Sequence, residues 1–180
     1  MTDPFRDLAT LSDHVWARLA RGVEHADDPF RLMTFATSGR EGPEARMVAL
    51  RRVDRPCAEV EVHSDLRTAK LRALREDPRA AILLWDARAQ LQVRLQVSVR
   101  IMEADPARWE AIPPEARLNY GTDPAPGLPV ASPQAVTRMP SPDRFAALVA
   151  RVHRIDVVSL AHDPHRRAVF GKVGSAWVAP

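Results

Sequence analysis

Residues 62–70, VHSDLRTAK, bring together side chains that suit an anion. Ser64 and Thr68 offer hydroxyls and Arg67 and Lys70 offer cations three positions apart. The alternating AEVEVHS before them reads as a strand, and the period turns helical from Asp65. At such a junction the first backbone N–H groups of the helix are free, and a phosphate gains charge-assisted hydrogen bonds from the cations together with the favourable end of the helix dipole. Asp65 is the expected cap, with Arg67 and Lys70 on one face of the first turns. An ordinary capped surface helix with solvated basic residues would carry the same stretch. Two further positions bear on the choice. Arg46, in ARMVALRRV, lies on the preceding strand, and antiparallel pairing brings it beside the junction. Gln92, in QLQVR, lies on the polar face of a long strand, where it suits the carbonyl and imide edges of a planar heterocycle; a solvent-facing glutamine would look the same.

These residues have to be positioned by something, and the hydrophobic pattern says what. Residues 7–25 place Leu8, Leu11, Val15, Trp16 and Leu19 at helical spacing. Strands follow in FRLMTFATS, EARMVALRRV and AEVEVHS, then a helix to the stop at EDP, then strands in RAAILLWD and AQLQVRLQVSVRIME. From 105 to about 142 the pattern breaks into short helical pieces and a proline-rich connection, a lid or a subunit contact. PDRFAALVARVHR is predicted as a helix, and IDVVSLAH, RAVFGKV and SAWVAP as closing strands. The sum is one domain over 1–180, mainly β with flanking α: about eight short, mostly antiparallel strands forming a closed or split barrel decorated with helices.

Composition removes several classes of function. No run approaches the roughly 18 apolar residues of a membrane span, and the N-terminus lacks the pattern of a signal peptide, so a cytoplasmic protein without membrane contact is expected. Of the 26 basic residues only Lys70 and Lys172 are lysines; the arginines are scattered among acids, and aromatics are 6%, which does not fit a nucleic-acid surface. The single cysteine, Cys57, forms no internal disulfide and sits in a turn with no sign of activation. HDPH at 162–165 offers only two histidines and one acid, short of a metal site. No nucleophile elbow, phosphate loop or dinucleotide fingerprint occurs.

From about residue 30 to 104 the chain resembles the pyridoxamine 5′-phosphate oxidase family, the FMN-binding split barrels. RMVALR is similar to that family's Arg-x-Val-Leu-Leu-Lys strand, VHSDLRTAKLRAL to its Tyr-Thr-Asn…Ser-Arg-Lys segment, DPRAAILLWD to its Asn-Pro-x-Ala strand and LQVRLQVSVRI to its Arg-Gln-Val-Arg strand. The resemblance implies a homodimer with FMN at the subunit interface. It further implies phosphate held by Arg46 and Lys70, with Ser64 and Thr68 completing the hydrogen bonds, and the flavin ring met by Gln92 of the second subunit. His63 and the backbone of Val48 and Ala49 would lie along the ring and ribityl chain. The family has arginine where this chain has Ala69, and Arg67 is the candidate replacement. Leu95, Val97 and the proline-rich segment are the expected subunit contact. The family's substrate-phosphate Tyr, Arg and Ser fall on Arg108, Ile112 and Ala116, its C-terminal histidine on Ala168, and its terminal flavin Trp and Arg on Leu160 and Phe170. The implied function is therefore a flavin-dependent oxidoreductase for a small molecule other than pyridoxamine phosphate, with a flavin carrier or sensor and the authentic oxidase as alternatives.

Overall fold

The computed structural model describes residues 3–180. In chain order the elements are α1 (Leu8–Glu24), β1 (Leu32–Gly39), β2 (Gly42–Asp54), β3 (Glu59–Asp65), α2 (Ala69–Glu76), β4 (Arg79–Asp86), β5 (Leu91–Glu103), α3 (Pro106–Glu110), α4 (Pro114–Arg117), the two-residue strands β6 (Thr122–Asp123) and β7 (Thr137–Arg138), then β8 (Phe145–Ser159), β9 (Arg166–Gly171) and β10 (Gly174–Val178). Strands β3, β2, β1, β4 and β5 lie side by side in that order, and β8 pairs with both β3 and β5. The six strands thus close an antiparallel barrel, the expected split-barrel class, and closure leaves no bare edge between them. The far half of β8 leaves β3 and carries β9 and β10 outward.

Alternation decides what fills the barrel. Phe35, Leu50, Val60, Val62, Ile82, Leu84, Val93, Leu95, Leu148 and Val157 point inward and are buried. Helix α1 opens at Asp7, whose carboxylate accepts from Thr10 N at 2.7 Å, and buries Leu11, Val15 and Leu19 in the same core. Near its end Gly22 lies on the chain at Phe30, so closely that an added Cβ would stand 2.8 Å from that backbone. No helix among the described residues is long and apolar enough to cross a membrane.

The α-helix predicted over PDRFAALVARVHR does not form; Pro142–Arg144 make a single 3-10 turn and the rest, from Phe145, opens the 15-residue strand β8. Every residue from 145 to 150 is buried, because one face of β8 lines the barrel and the other is covered by the segment 105–144. A strand buried on both faces loses its alternation and reads as a continuous apolar run. A second departure is a register shift in β2, where Leu50 faces Val62 and Arg52 faces Glu61, leaving Arg51 as an extra, bulged residue.

Candidate functional site

The turn at the end of β3 gathers the first set of polar groups. Lys70 Nζ donates to Ser64 Oγ at 2.9 Å and more weakly to Thr68 Oγ1 at 3.4 Å. Arg46 reaches the same corner from β2, donating to Thr37 Oγ1 at 2.8 Å and to Glu44 Oε2 at 2.5 Å. Burial pushes the Lys70 ammonium below its ordinary pKa, and the adjacent Arg46 charge adds to the effect. Two cations are held together here, and Lys70 spends its protons on hydroxyls alone. A dianionic phosphate placed among them would relieve the repulsion and take up those donors. The residues present therefore fit the phosphate of FMN.

Arg67 does not join them. Helix α2 begins at Ala69 with Thr68 as its cap residue, not at Asp65, so Arg67 lies in the preceding turn and shares no helix face with Lys70. Its guanidinium closes on Asp65 through Nε at 3.0 Å and Nη2 at 2.7 Å, and Nη2 also donates to the Thr122 carbonyl at 2.8 Å. Asp65 is thereby spent on its own turn, and Arg67 ties that turn to the segment 105–144.

The second set lies on the outer face of β3, one residue away. There the helices α3 and α4 form a roof over the sheet, seated on a small cluster of Trp109, Ile112, Tyr120, Phe145 and Ala147. Between roof and sheet is a cavity of about 680 Å³, within the roughly 300–1,000 Å³ of small-molecule sites. His63 belongs to its wall. Its Nε2 meets Glu61 Oε1 at 2.9 Å, Glu61 Oε2 accepts from Arg108 Nε at 3.0 Å, and Arg108 Nη1 donates to Asp105 Oδ2 at 2.7 Å. Burial alone would raise the Glu61 carboxyl, but the hydrogen bonds from His63 and Arg108 and the Arg108 charge outweigh it and hold the group below its ordinary value. The other ring nitrogen of His63, Nδ1, is buried without a partner. Ile112 and Ala116 line the roof side, and Arg31, Arg51 and Tyr120 complete one end.

Arg31, Arg51, Glu61 and Tyr120 were not singled out by sequence reasoning. The signal available was the pair of arginines in ALRRVD: a half-buried strand cannot send two successive side chains to one face without a bulge, and the bulge at Arg51 sends both Arg51 and Arg52 into the cavity wall.

The remaining expected residues are spread over the barrel wall. Val48 packs against the core, while Ala49 faces outward beside Leu32. Gln92 pairs with Trp85 at the far side of the same outer face, three strands from Ala49, a span of roughly 14 Å at the usual strand spacing. Leu95 and Val97, expected as subunit contacts, are buried inside the barrel, because the apolar face of β5 is the inner one. On the outer face of β2, β1 and β4 four large apolar side chains, Leu32, Met47, Leu83 and Trp85, are instead exposed.

A family model described as pyridoxamine 5′-phosphate oxidase, FMN-binding domain, matches residues 13–103. No curated protein matches the chain. Among solved structures, a pyridoxamine 5′-phosphate oxidase-related, FMN binding protein from Nostoc punctiforme superposes with a TM-score of 0.75 at 21% identity, covering 100% of both chains. PhzG from Burkholderia lata, in complex with tetrahydrophenazine-1-carboxylic acid, gives 0.73 at 19% identity over 99% of this chain and 95% of the other. A protein related to general stress protein 26 from Clostridium acetobutylicum gives 0.58 at 12% identity, with 88% and 96% covered. The structural likenesses speak for the fold, and the sequence match covers just over half of the chain, strands β1 to β5 and the turn at 64–70 included. The chain belongs to the pyridoxamine 5′-phosphate oxidase family of FMN-binding split barrels.

Proposed function

We propose that the protein is an FMN-dependent oxidoreductase, one split-barrel domain working as a cytoplasmic homodimer on a small molecule taken up beneath the roof of α3 and α4. The observation that carries this reading is the pairing of Arg46 with a half-buried Lys70 that donates only to Ser64 and Thr68. These four residues hold the phosphate. Val48, Ala49 and His63 lie along the ribityl chain and ring, Gln92 reaches the ring from the second subunit, and Arg67 braces the turn from behind. FMN, when bound, supplies the redox chemistry, and the protein supplies anchoring, orientation and shelter from water. Against pyridoxamine 5′-phosphate as the substrate, Ile112 and Ala116 offer its phosphate no charge or hydroxyl, and Arg108 is committed to Glu61 and Asp105.

The test is a spectrum followed by a turnover measurement. Purified protein incubated with FMN is expected to retain flavin through gel filtration, and the bound flavin to be reduced by a nicotinamide donor and reoxidised by oxygen. Colourless protein that takes up no FMN overturns the reading. Flavin that is retained but never reduced makes the protein a carrier or sensor.

A further inference from the structure

Four arginines line the cavity beneath the roof, and they divide into two kinds. Arg108 is neutralised by Glu61 and Asp105, and Arg52 by Asp54 at 3.0 Å. Arg31 and Arg51 have no carboxylate within ion-pair distance among the described residues. Arg31 donates from Nη1 to the carbonyls of Val23 at 2.9 Å and Leu50 at 3.1 Å, which fixes its guanidinium in the wall. Arg51 stands beside it and beside the Tyr120 hydroxyl, and Arg31 is depressed below the ordinary arginine value first by burial and then by this second cation. The β2 bulge exists at the residue that completes the pair. A protein that spends a bulge to bring two unpaired guanidinium groups together, in a cavity whose one carboxylate is already taken, has built a place for negative charge.

We propose that this cavity binds a planar organic acid, its carboxylate held between Arg31 and Arg51 with the Tyr120 hydroxyl beside them, and its ring laid against Ile112 and Ala116. The inference rests on the reading of the cavity as the substrate site. Carboxylate is favoured over phosphate by the donors present. The lining contains no serine or threonine, and Arg31 has one nitrogen already spent on carbonyls. What remains suits two oxygens in one plane, the geometry of a guanidinium fork against a carboxylate. The turn at 64–70, with two cations and two hydroxyls, shows the different donor set that a phosphate would use. Alanines 107, 111 and 116 keep the roof side of the slot shallow, which suits a flat ring.

The test is calorimetric titration of the FMN-loaded protein with 2-naphthoate, 2-naphthamide and 2-naphthyl phosphate, three probes that share a ring and differ in the charged group. The naphthoate is expected to bind at least tenfold more tightly than the amide. Arg51→Gln is expected to remove most of that preference while leaving amide binding unchanged, and Arg52→Gln to leave it intact. Arg51 is the better position to change because Arg31 also supports the backbone. Equal affinity for acid and amide, tighter binding of the phosphate, or an acid preference that survives Arg51→Gln would each overturn the proposal. Flavin absorbance of the same samples separates the two readings: protein that holds FMN but ignores the acid refutes the clamp alone, and protein that binds the acid without ever taking up FMN refutes the functional reading alone.

Discussion

Two outer faces of the same barrel are treated in opposite ways. Over β3 and the start of β8, where Glu61 and His63 point outward, the chain lays down the segment 105–144 and seats it on Trp109, Tyr120 and Phe145. Over β2, β1 and β4 it lays down nothing, although Leu32, Met47, Leu83 and Trp85 stand there 55%, 60%, 38% and 43% exposed. Register puts these four on one contiguous patch, with Ala49, Thr34 and Ala36 between them. Hydrophobic burial acting within a single chain would cover the apolar face and leave the polar one wet. The reverse arrangement has two consequences. The roof encloses polar chemistry together with its own apolar cluster, and the bare face is left free for the second chain of the proposed homodimer.

The sharpest way to break this contrast is to charge the bare face. Met47→Asp combined with Leu83→Asp is expected to weaken dimerisation by about 4 kcal/mol, the sum of two interface anchors, or roughly a thousandfold. Sedimentation at micromolar concentration would then show monomers, with FMN lost as well on the proposal that Gln92 of the second subunit reaches the ring. A variant that stays dimeric, or a monomer that keeps its flavin, would remove the distinction between the two faces.

The turn at 64–70 lies at the seam between them, and the next expected effect is there. Each charge-assisted bond to a partly buried phosphate contributes about 1.5–3 kcal/mol, so Lys70→Ala is expected to weaken FMN binding roughly ten- to a hundredfold. Riboflavin, with the same ring and no phosphate, should be unaffected. Equal losses for the two ligands, read by fluorescence titration, would mean that Lys70 supports the turn and not the phosphate.

How much of this was legible in the sequence follows from how far apart the participating residues lie. Ser64, Thr68 and Lys70 are within one turn of chain, so their meeting needs only a strand-to-helix junction, and it could be read directly. Arg46 needs one antiparallel pairing more. The cavity needs the entry to β1, a bulge in β2, the outer face of β3 and a roof from residues 106–120, and no local pattern announces that combination. The barrel was legible because alternation survives wherever one face of a strand is wet, as in β5. It failed at β8, buried on both sides, and Leu95 and Val97 were assigned outward because an apolar strand face does not say which side of the wall it occupies.

Arg67 tests the seam from the roof side. Its guanidinium is the main partner of the buried Asp65 and also holds Thr122, so Arg67→Ala strands a carboxylate and loosens the roof. The expected cost is about 1–2 kcal/mol of folding stability, on the scale of leaving a buried charged group short of partners, read by urea denaturation. FMN affinity should fall far less than in Lys70→Ala. A larger loss of FMN than of stability would show that the guanidinium turns to the phosphate once the ligand arrives.

The smallest expected effect concerns acid. Glu61 is held below its ordinary value of 4.5 in the folded protein, despite its burial, by His63 and Arg108. A carboxyl with a depressed folded-state pKa contributes stability that is fully present above the unfolded value and is lost as pH falls through the folded one. The bare face, which carries no titrating group among its apolar side chains, adds nothing in that window. Glu61→Gln is therefore expected to be less stable than the parent at pH 7, with the gap narrowing as pH drops below 4.5, whereas Met47→Ala should change stability by an amount that does not depend on pH over the same range. Denaturation curves of the three proteins at pH 7 and at two values below 4.5 would decide. A gap for Glu61→Gln that stays constant into acid would mean that the carboxylate is not what holds the His63 wall of the cavity.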